Sequence, residues 1–299
     1  MKHISFIIVL FVLMSCHQSS LNDSSTEVIL SNVVYNDDNR SEVFSLDGGF
    51  WEQKAKAVAV QIKSNKFKRP NSFGERIVVG RTLGKQRNLC EDERFFNQKI
   101  VGDCTGFLIS PDVIATAGHC VKDEFYCEHF LWVFDYKLKD PFDLDYNSIQ
   151  SKNIYKCSKI LKSVYNTKSQ IDYALIQLDR IVPDRGPLKL RESGSVKRGA
   201  KLAVIGHPSG LAQKFAAGAQ VIRNDHQNFF SANLDAFQRN SGSPVFNEET
   251  GLVEGILVRG DTDYKFDYKS KCQRVNTIKK DCIKMHCRLE DVIRITLLQ

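Results

Sequence analysis

Short runs of branched and aromatic residues, separated by turn-forming residues, recur along most of the chain. Each run is shorter than a typical helix, so the pattern predicts β-strands. In the first half, the predicted strands are Ala57–Ile62, Thr105–Ile109, Val113–Ala117, Leu131–Phe134, Ile154–Val164 and Tyr173–Leu178. In the second half, they are Lys201–Ile205, Gln220–Arg223, Phe229–Leu234, Pro244–Phe246 and Leu252–Val258. The chain is therefore predicted to be all-β.

A polar connector separates the two sets of strands. Prolines and glycines between Pro183 and Gly199 interrupt any regular element, which is typical of a domain boundary. Beyond the last strand the period changes to that of a helix, with one apolar face made of Leu289, Val292, Ile293 and Leu297. The predicted organisation is a signal peptide over 1–15, a tether and N-terminal extension over 16–50, a first β-barrel over 51–182, a connector over 183–199, and a second β-barrel with a C-terminal helix over 200–299.

The first sixteen residues indicate where the protein is found. Lys2 and His3 precede an apolar run from Ile4 to Met14 that is too short to span a bilayer comfortably. The run ends in Leu-Met-Ser-Cys, which is typical of a bacterial lipoprotein signal cleaved before Cys16. This predicts a protein that is lipid-anchored at Cys16 to a membrane of the bacterial cell envelope. The alternative is an ordinary secretory signal, which would leave the protein secreted or periplasmic.

The cysteine content fits an exported chain. Lipidation of Cys16 leaves an even number of cysteines: Cys90, Cys104, Cys120, Cys127, Cys157, Cys272, Cys282 and Cys287. Even numbers suit disulfides in an oxidising compartment. A zinc site at Cys282 and Cys287, with His286 between them, is the competing interpretation. Because no Cys-x-x-Cys pair exists and the ligand spacing is irregular, we expect no metal.

The charge of the chain is moderately basic, with a formal net charge of +7. Much of the excess lies between Lys265 and Arg288, where eight Lys or Arg residues face two acids. A basic stretch could contact nucleic acid or an anionic surface, but this one matches no nucleic-acid motif. We therefore expect a solvated, disulfide-tied loop and no nucleic-acid partner.

The stretch LDAFQRNSGSPVF, residues 234–246, contains a serine between small residues. Small neighbours let the backbone bend sharply and bring a substrate carbonyl to the serine oxygen. Serine also needs a base and a buried carboxylate to become a strong nucleophile. The stretch VIATAGHC places His119 after a predicted strand, and QIDYALIQLD places Asp172 at the start of another. A core histidine, a turn-capping aspartate and a turn serine are each common, but His119, Asp172 and Ser241 in this order and context favour catalysis.

The motifs TAGHC, DYALIQL and NSGSP together resemble those of the chymotrypsin-like serine proteases, in particular the bacterial glutamyl-endopeptidase-like branch. The resemblance spans Lys54 to Leu298. It implies two six-stranded Greek-key β-barrels packed with the active site between them. It implies an exported serine endopeptidase that hydrolyses a polypeptide substrate through an acyl-enzyme, without a metal or organic cofactor. It also implies a disulfide between Cys104 and Cys120, beside the catalytic histidine, while the pairing of the other six cysteines stays open.

Carried over to the matching positions, the resemblance implies that Ser241 is the nucleophile, His119 its general base and later acid, and Asp172 the group that orients His119. Each role has a physical reason. An imidazole titrates near neutral pH, so it can accept the serine proton and return it to the departing amine. A buried carboxylate fixes the imidazole tautomer and stabilises the imidazolium. Ser243 is the alternative nucleophile, but the motif aligns with Ser241.

The oxyanion hole is where this chain departs from the family. The resemblance assigns it to the backbone N–H groups of Arg239 and Ser241, and Arg239 stands where the family usually has glycine. Any residue except proline supplies the N–H, but a side chain resists some of the dihedrals that would aim it. The alternative function is therefore a catalytically impaired protease fold that serves as a binding or adhesion module on the cell surface.

A second departure concerns activation. Asn240 replaces the aspartate that pairs with a newly cut amino terminus in trypsin-type enzymes. The stretch GERIVVG resembles an activation cleavage site between Arg76 and Ile77. Because an uncharged amide cannot form that ion pair, we interpret GERIVVG as an ordinary surface strand.

The sequence says least about the residues of the specificity pocket. Asp235 lies six residues before Ser241, which matches by spacing the acidic base of the trypsin pocket and would favour Lys or Arg in the substrate. A structural aspartate at a strand end is the equal alternative. The resemblance places Val258, Arg259 and Gly260 along the cleft, where Arg259 could neutralise Asp235 or recruit acidic peptides.

Glutamyl specificity is disfavoured by the sequence. That branch of the family uses a pocket histidine near the strand that holds Leu257, and none is present there. His207 lies in IGHPSGL, where the neighbouring proline, serine and glycine indicate a turn.

Overall fold

The computed structural model describes residues 34–35, 38–46, 48–278 and 288–298. The predicted signal peptide, the lipidation residue Cys16, and the group of Cys282, His286 and Cys287 lie outside these residues. In the part of the chain that is described, no helix has both the length and the apolar character needed to cross a membrane.

Strands make up most of the regular structure. The strands are β1 (Val34–Tyr35), β2 (Ser41–Glu42), β3 (Val58–Lys63), β4 (Glu75–Ile77), β5 (Cys104–Ser110), β6 (Val113–Thr116), β7 (Phe130–Val133), β8 (Ser148–Gln150), β9 (Ile154–Asn166), β10 (Ile171–Leu178), β11 (Lys201–Gly206), β12 (Lys214–Arg223), β13 (Phe229–Ala232), β14 (Pro244–Asn247), β15 (Val253–Arg259), β16 (Tyr264–Asp267), β17 (Cys272–Val275), β18 (Thr277–Ile278) and β19 (Glu290–Arg294). The α-helices are α1 (Phe50–Ala55), α2 (Leu83–Arg87) and α3 (Glu124–His129). Short 3-10 helices span Val43–Leu46, Ser64–Lys66, Gly118–Cys120, Ser151–Asn153, Pro208–Gly210 and Ile295–Leu298. Each of the eleven strands predicted from the sequence overlaps an observed strand.

Six strands close the first barrel in the order β10-β6-β5-β3-β7-β9, and every neighbouring pair is antiparallel. Large apolar side chains fill its interior, among them Phe107, Ile114 and Trp132. Removing such side chains from water is the main favourable contribution to folding. The closed ring fixes β6 next to β10, and these two strands carry the candidate histidine and aspartate at adjacent ends.

The second barrel closes in the order β11-β14-β15-β19-β13-β12, with β12 pairing back to β11. Its interior contains Leu202, Val221, Phe230 and Leu257. The all-β prediction of two six-stranded barrels is therefore confirmed. The turn between β13 and β14 carries the candidate serine.

The predicted C-terminal helix is wrong for most of its length. Residues Glu290–Arg294 form β19, which pairs with β13 and β15 and completes the second barrel, and only Ile295–Leu298 is helical. Val292 packs into the core of the second barrel, whereas Ile293 packs into the larger core shared with the first barrel. A strand that is buried on both faces loses its alternation of apolar and polar residues, so its apolar positions also fit a helical face.

An N-terminal strap, residues 38–46, crosses the second barrel, where its β2 pairs with β12. Arg40 is only 2% exposed and donates two hydrogen bonds to the Asp38 carboxylate. Lys214 of β12 is also buried and lies 3.0 Å from Glu42, and burial lowers its pKa to about 8. Buried charges are stable only when they are paired, so these contacts hold the strap in one position.

Three disulfides lie within the described residues: Cys90–Cys272, Cys104–Cys120 and Cys127–Cys157. The Cys104–Cys120 bond implied by the resemblance is confirmed, and it joins β5 to the 3-10 turn that follows β6. The Cys90–Cys272 bond ties the hairpin of β16 and β17, in the basic stretch, to the residues after α2. The sequence left this pairing open because cysteine spacing alone does not determine connectivity.

Candidate active site

Two hydrogen bonds join His119 and Asp172 at one end of the first barrel. The His119 Nδ1 atom lies 2.8 Å from Asp172 Oδ2, and the His119 backbone N–H donates to Asp172 Oδ1 at 2.9 Å. Asp172 is 2% exposed, whereas 28% of the His119 side chain is exposed. The carboxylate is therefore shielded, while the imidazole keeps an edge open. With Nδ1 bound to the carboxylate, Nε2 is left to exchange a proton with a reactant.

The local backbone explains why these two residues meet. His119 lies in the 3-10 turn after β6, and Asp172 is the second residue of β10, the strand paired with β6. Gly118 permits the close approach of this turn to the neighbouring strand β9. A β-carbon at position 118 would lie 2.1 Å from the Val164 carbonyl oxygen, so only glycine fits.

The turn that carries Ser241 packs against the first barrel. The Ser241 carbonyl oxygen accepts a hydrogen bond of 2.8 Å from the Thr105 N–H of β5. Gly242 has a φ of 91°, and a β-carbon there would lie 1.9 Å from the Thr105 carbonyl oxygen. Glycine at position 242 is therefore required both by the dihedral and by the lack of space. The sulfur of Cys120, the residue after His119, lies 3.9 Å from the Ser241 carbonyl oxygen.

Ser241 lines a pocket on one side of Val258 and Arg259, and His119 and Asp172 line a second pocket on the other side. In the described part of the chain, no hydrogen bond joins the Ser241 hydroxyl to His119. Hydrogen bonds between a nucleophile and its base often form only when substrate is bound. The structure thus brings all three residues to the junction of the two barrels, with the histidine–aspartate pair already formed.

Comparison with known proteins identifies the family of this chain. A trypsin-like peptidase domain matches residues 104–256, just over half of the chain. This chain belongs to the trypsin-like peptidase family. The chain is similar in structure to Glu endopeptidase in complex with MPD, with a TM-score of 0.50 and 18% identity over 89% of this chain and 95% of that one. It is also similar to the Vibrio cholerae VesB protease, with a TM-score of 0.50 and 12% identity over 87% of this chain and 64% of that one. At such identities these two structures show the fold alone. The search of the curated proteins found no match.

Within this trypsin-like peptidase, Ser243 is not accessible as a nucleophile. The residue is fully buried, and its hydroxyl donates to Asn240 Oδ1 at 2.9 Å. It also lies against Gly206, where an added β-carbon would be 2.0 Å from the Ser243 oxygen. Of the two serines in this turn, only Ser241 faces a pocket.

The candidate oxyanion hole consists of two backbone N–H groups. The backbone N–H groups of Arg239 and Ser241 have no hydrogen-bond partner among the described residues. Arg239 has a φ of 72°, in the left-handed region that favours glycine. Its guanidinium donates to the Gly102 carbonyl oxygen at 3.0 Å, which helps to hold this conformation. The side chain at position 239 is therefore held at an unfavourable dihedral, as expected from the sequence.

The contacts of Asn240 are not those of a residue that pairs with a charged amino terminus. Asn240 is 2% exposed, and its amide oxygen accepts the Ser243 hydroxyl. Arg76 and Ile77 belong to β4, which pairs with β8, and Ile77 is 39% exposed. The GERIVVG stretch therefore forms a surface strand in this structure, as interpreted from the sequence.

The pocket beside Ser241 has a volume of about 210 Å³ and a markedly acidic lining. It is lined by Ala236, Phe237, Gln238, Ser241, Leu257, Val258, Arg259, Gly260, Asp261, Asp263 and Glu290. The predicted lining residues Val258, Arg259 and Gly260 are among them. Sequence reasoning missed the three acids. Because Leu289, Val292, Ile293 and Leu297 were predicted to share one face of a helix, no local pattern placed Glu290 at this pocket.

Asp235 is not part of this pocket, so its predicted role at the base of the pocket is wrong. Its carboxylate accepts hydrogen bonds from the backbone N–H groups of Tyr35 (3.0 Å) and Asn39 (2.9 Å). Burial raises its pKa to about 6, although these two hydrogen bonds act in the opposite direction. Asp235 therefore anchors the N-terminal residues, a structural role that no local pattern around residue 235 indicates.

Of the two roles considered for Arg259, neutralisation of Asp235 is not observed. The Arg259 Nε atom lies 3.2 Å from Asp291 Oδ2, and its Nη1 donates to the Gln170 carbonyl oxygen at 3.3 Å. Asp291 is adjacent to Arg259 because β15 and β19 are paired at this point. The contact was not predicted because residues 290–294 were expected to form a helix and not a strand paired with β15.

His207 lies in the core and not at the pocket beside Ser241. It is 1% exposed, and its Nδ1 atom lies 3.0 Å from the Leu211 carbonyl oxygen, across the turn at Pro208–Gly210. Burial lowers its pKa to about 3, so the imidazole stays neutral. The turn expected from the sequence is present.

The described residues include one group with the spacing of metal ligands, formed by Cys104, His119 and Cys120. Both sulfur atoms belong to the Cys104–Cys120 disulfide, so neither is a thiolate. A disulfide is a poor metal ligand, and this group therefore does not fit a metal site.

Proposed function

We propose that this protein is a serine endopeptidase that hydrolyses peptide bonds in polypeptide substrates through an acyl-enzyme. The single observation that carries the proposal is the pair of hydrogen bonds from His119 to the buried Asp172, in a chain that belongs to the trypsin-like peptidases. A histidine held in this tautomer, at the junction that also carries an accessible serine, has the chemistry of a general base.

In the proposed reaction, the Ser241 oxygen attacks the scissile carbonyl carbon while His119 Nε2 takes the hydroxyl proton. The backbone N–H groups of Arg239 and Ser241 stabilise the negative charge that develops on the carbonyl oxygen. The imidazolium then gives its proton to the departing amine, which leaves an ester on Ser241. A water molecule, deprotonated by His119, hydrolyses this ester and restores the free serine. Asp172 stays ionised throughout and stabilises the imidazolium.

A fluorophosphonate probe tests this proposal directly, because labelling requires an activated serine and a working oxyanion site. We expect the wild-type protein and Ser243→Ala to be labelled, and Ser241→Ala to remain unlabelled, as measured by mass spectrometry of the intact protein. A folded wild-type protein that no probe labels would contradict the proposal and favour the binding or adhesion module.

We also propose that the protein is exported and held at the bacterial cell envelope by lipid on Cys16. The support is the apolar run up to Met14, followed by serine and cysteine. Changing Cys16 to serine is expected to move the protein from the membrane fraction to the soluble fraction, without changing its activity per molecule. Ser20→Ala, in the same segment, is the matched control and should stay with the membrane. Retention of Cys16→Ser through a carbonate wash would disprove lipid anchoring.

A further inference from the structure

Glu290 presents a buried carboxyl group to the pocket beside Ser241. The residue is 3% exposed, and within the described part of the chain its Oε1 atom has no hydrogen-bond partner. Both carboxyl oxygens lie against Gly260, since a β-carbon added there would be 2.0 and 2.3 Å from them. Because Gly260 lines the pocket, the absence of a side chain at this position is what gives the carboxyl group its place there.

The rest of the lining contains two more acids and one arginine, so negative charge is in excess. Asp261 and Asp263 line the same pocket, and Asp261 Oδ2 is buried without a hydrogen-bond partner among the described residues. The Asp263 carboxylate accepts hydrogen bonds from the Gln238 N–H, and burial raises its pKa to about 7. Arg259 is the basic residue of the lining; its Nε atom is paired with Asp291, whereas its Nη2 atom is buried without a hydrogen-bond partner among the described residues. A buried carboxyl oxygen without a hydrogen-bond partner is costly, and acids outnumber the one arginine in this lining, so the pocket favours a cation that donates hydrogen bonds.

We propose that this pocket binds a lysine or arginine side chain of the substrate, at the residue whose carbonyl group Ser241 attacks, and that Glu290 selects it. This inference rests on the proposed peptidase function. The selecting acid comes from β19, at the start of a strand, and not from Asp235, six residues before the serine. A guanidinium or ammonium group would donate hydrogen bonds to the unpartnered Oε1 atom and neutralise the cluster of acids.

The geometry favours an organic cation over a metal ion. The ligand atoms of Asp261, Asp263 and Glu290 do not form a group within 4.8 Å of one another, and the described residues hold such a group only at Cys104, His119 and Cys120. A glutamate side chain of a substrate would meet three carboxyl groups in this pocket, so cleavage after glutamate is disfavoured.

Burial and the neighbouring acids also predict how binding depends on pH. Desolvation, followed by the charge of Asp263, raises the pKa of Glu290 well above its usual value, and the Asp261 N–H, Asp291 and Asp261 have smaller effects. A proton therefore competes with the substrate cation for this carboxyl group. The KM for basic peptides should fall as the pH rises, whereas the KM for matched neutral peptides should not follow the same curve.

The test compares peptides that differ only in arginine, lysine, glutamine or glutamate before the cleaved bond. The wild-type enzyme is expected to prefer arginine and lysine. Glu290→Gln should lower kcat/KM on these two by about 10- to 100-fold, the loss expected for one charge-assisted hydrogen bond, and leave the glutamine peptide within about twofold. Asp235→Asn is the matched control and should leave the ratio of arginine to glutamine unchanged.

Benzamidine, an amidinium compound, reports on the pocket without catalysis. Calorimetry should detect its binding to the wild-type protein and a weakening of at least about tenfold in Glu290→Gln. This measurement distinguishes failure of the pocket proposal from failure of the peptidase proposal, which the fluorophosphonate probe measures. If Glu290→Gln does not fold, Asp261→Asn should lower the same peptide ratio. Three results would overturn the assignment of Glu290. They are an unchanged ratio of arginine to glutamine cleavage in both Glu290→Gln and Asp261→Asn, a loss of that ratio in Asp235→Asn, and a wild-type preference for glutamate.

Discussion

Ser241→Ala, His119→Ala and the double variant are each expected to lower turnover by about 10⁶, with nearly the same residual activity. The reason is that the serine is a weak nucleophile without the imidazole, and the imidazole has no proton to accept without the serine. The structure supports one cooperative unit, because the Ser241 turn is bonded to Thr105 of the barrel that holds His119. Steady-state kinetics on a peptide library, with active-site titration of the wild type, measures the three losses.

Ser243→Ala is the matched control in the same turn. It removes a hydrogen bond to Asn240 Oδ1 and leaves this buried atom unsatisfied, which should lower the free energy of unfolding by about 1–3 kcal/mol. Turnover by the folded fraction should be largely kept. If Ser241→Ala stays active while Ser243→Ala is inactive, the nucleophile is misassigned. If the two single losses multiply in the double variant, His119 and Ser241 act independently and not as a triad.

Arg239→Gly is expected to raise turnover by up to about tenfold, with little change in the binding of substrate side chains. The Arg239 N–H exists in both proteins, but an L-residue with a φ of 72° holds a sparsely populated conformation that costs about 1–3 kcal/mol. If this conformational free energy adds to the activation barrier when the N–H aligns with the developing oxyanion, glycine lowers the barrier by the same amount. The measurement is kcat and KM on one neutral and one acidic peptide.

Arg239→Ala separates the backbone effect from that of the guanidinium. This variant loses the hydrogen bond to the Gly102 carbonyl oxygen, as Arg239→Gly does, but keeps a β-carbon at the same φ. We therefore expect Arg239→Gly to turn over faster than Arg239→Ala. Equal rates in the two variants, together with a higher free energy of unfolding for Arg239→Gly, would place the strain in the folded state and contradict an effect on the transition state. A KM that rises only for the acidic peptide would assign the guanidinium to substrate binding.

Much of the fold follows from local sequence. The strands of the first barrel are short, apolar and bounded by turn residues, so their positions could be read directly, and the same holds for five strands of the second barrel. The candidate triad was equally readable because each member lies in a short motif at the end of a strand. The small residues around Ser241 and His119 also belong to those motifs, and the structure shows that Gly118 and Gly242 have no room for a β-carbon.

The Cys104–Cys120 bond was expected from the motif beside His119, whereas Cys90–Cys272 was not. The two cysteines of the latter bond are 182 residues apart in the chain, and this bond, like the neighbouring β-bridge between Leu89 and Gln273, depends on where two distant segments meet. Loop positions of this kind are set by packing and not by residue type.

By itself, the sequence determined the all-β class, eleven of the twelve barrel strands and the residues of the candidate triad, because each is marked by a short local pattern or motif. The tertiary structure decided the last barrel strand, since Val292 and Ile293 are buried on opposite faces by pairing with β13 and β15. That pairing brings Glu290 to the pocket, while the N-terminal residues bind the carboxylate of Asp235. Which acid lines the pocket beside Ser241 is therefore a property of long-range packing, because desolvation and hydrogen bonding depend on residues that the local sequence does not contain.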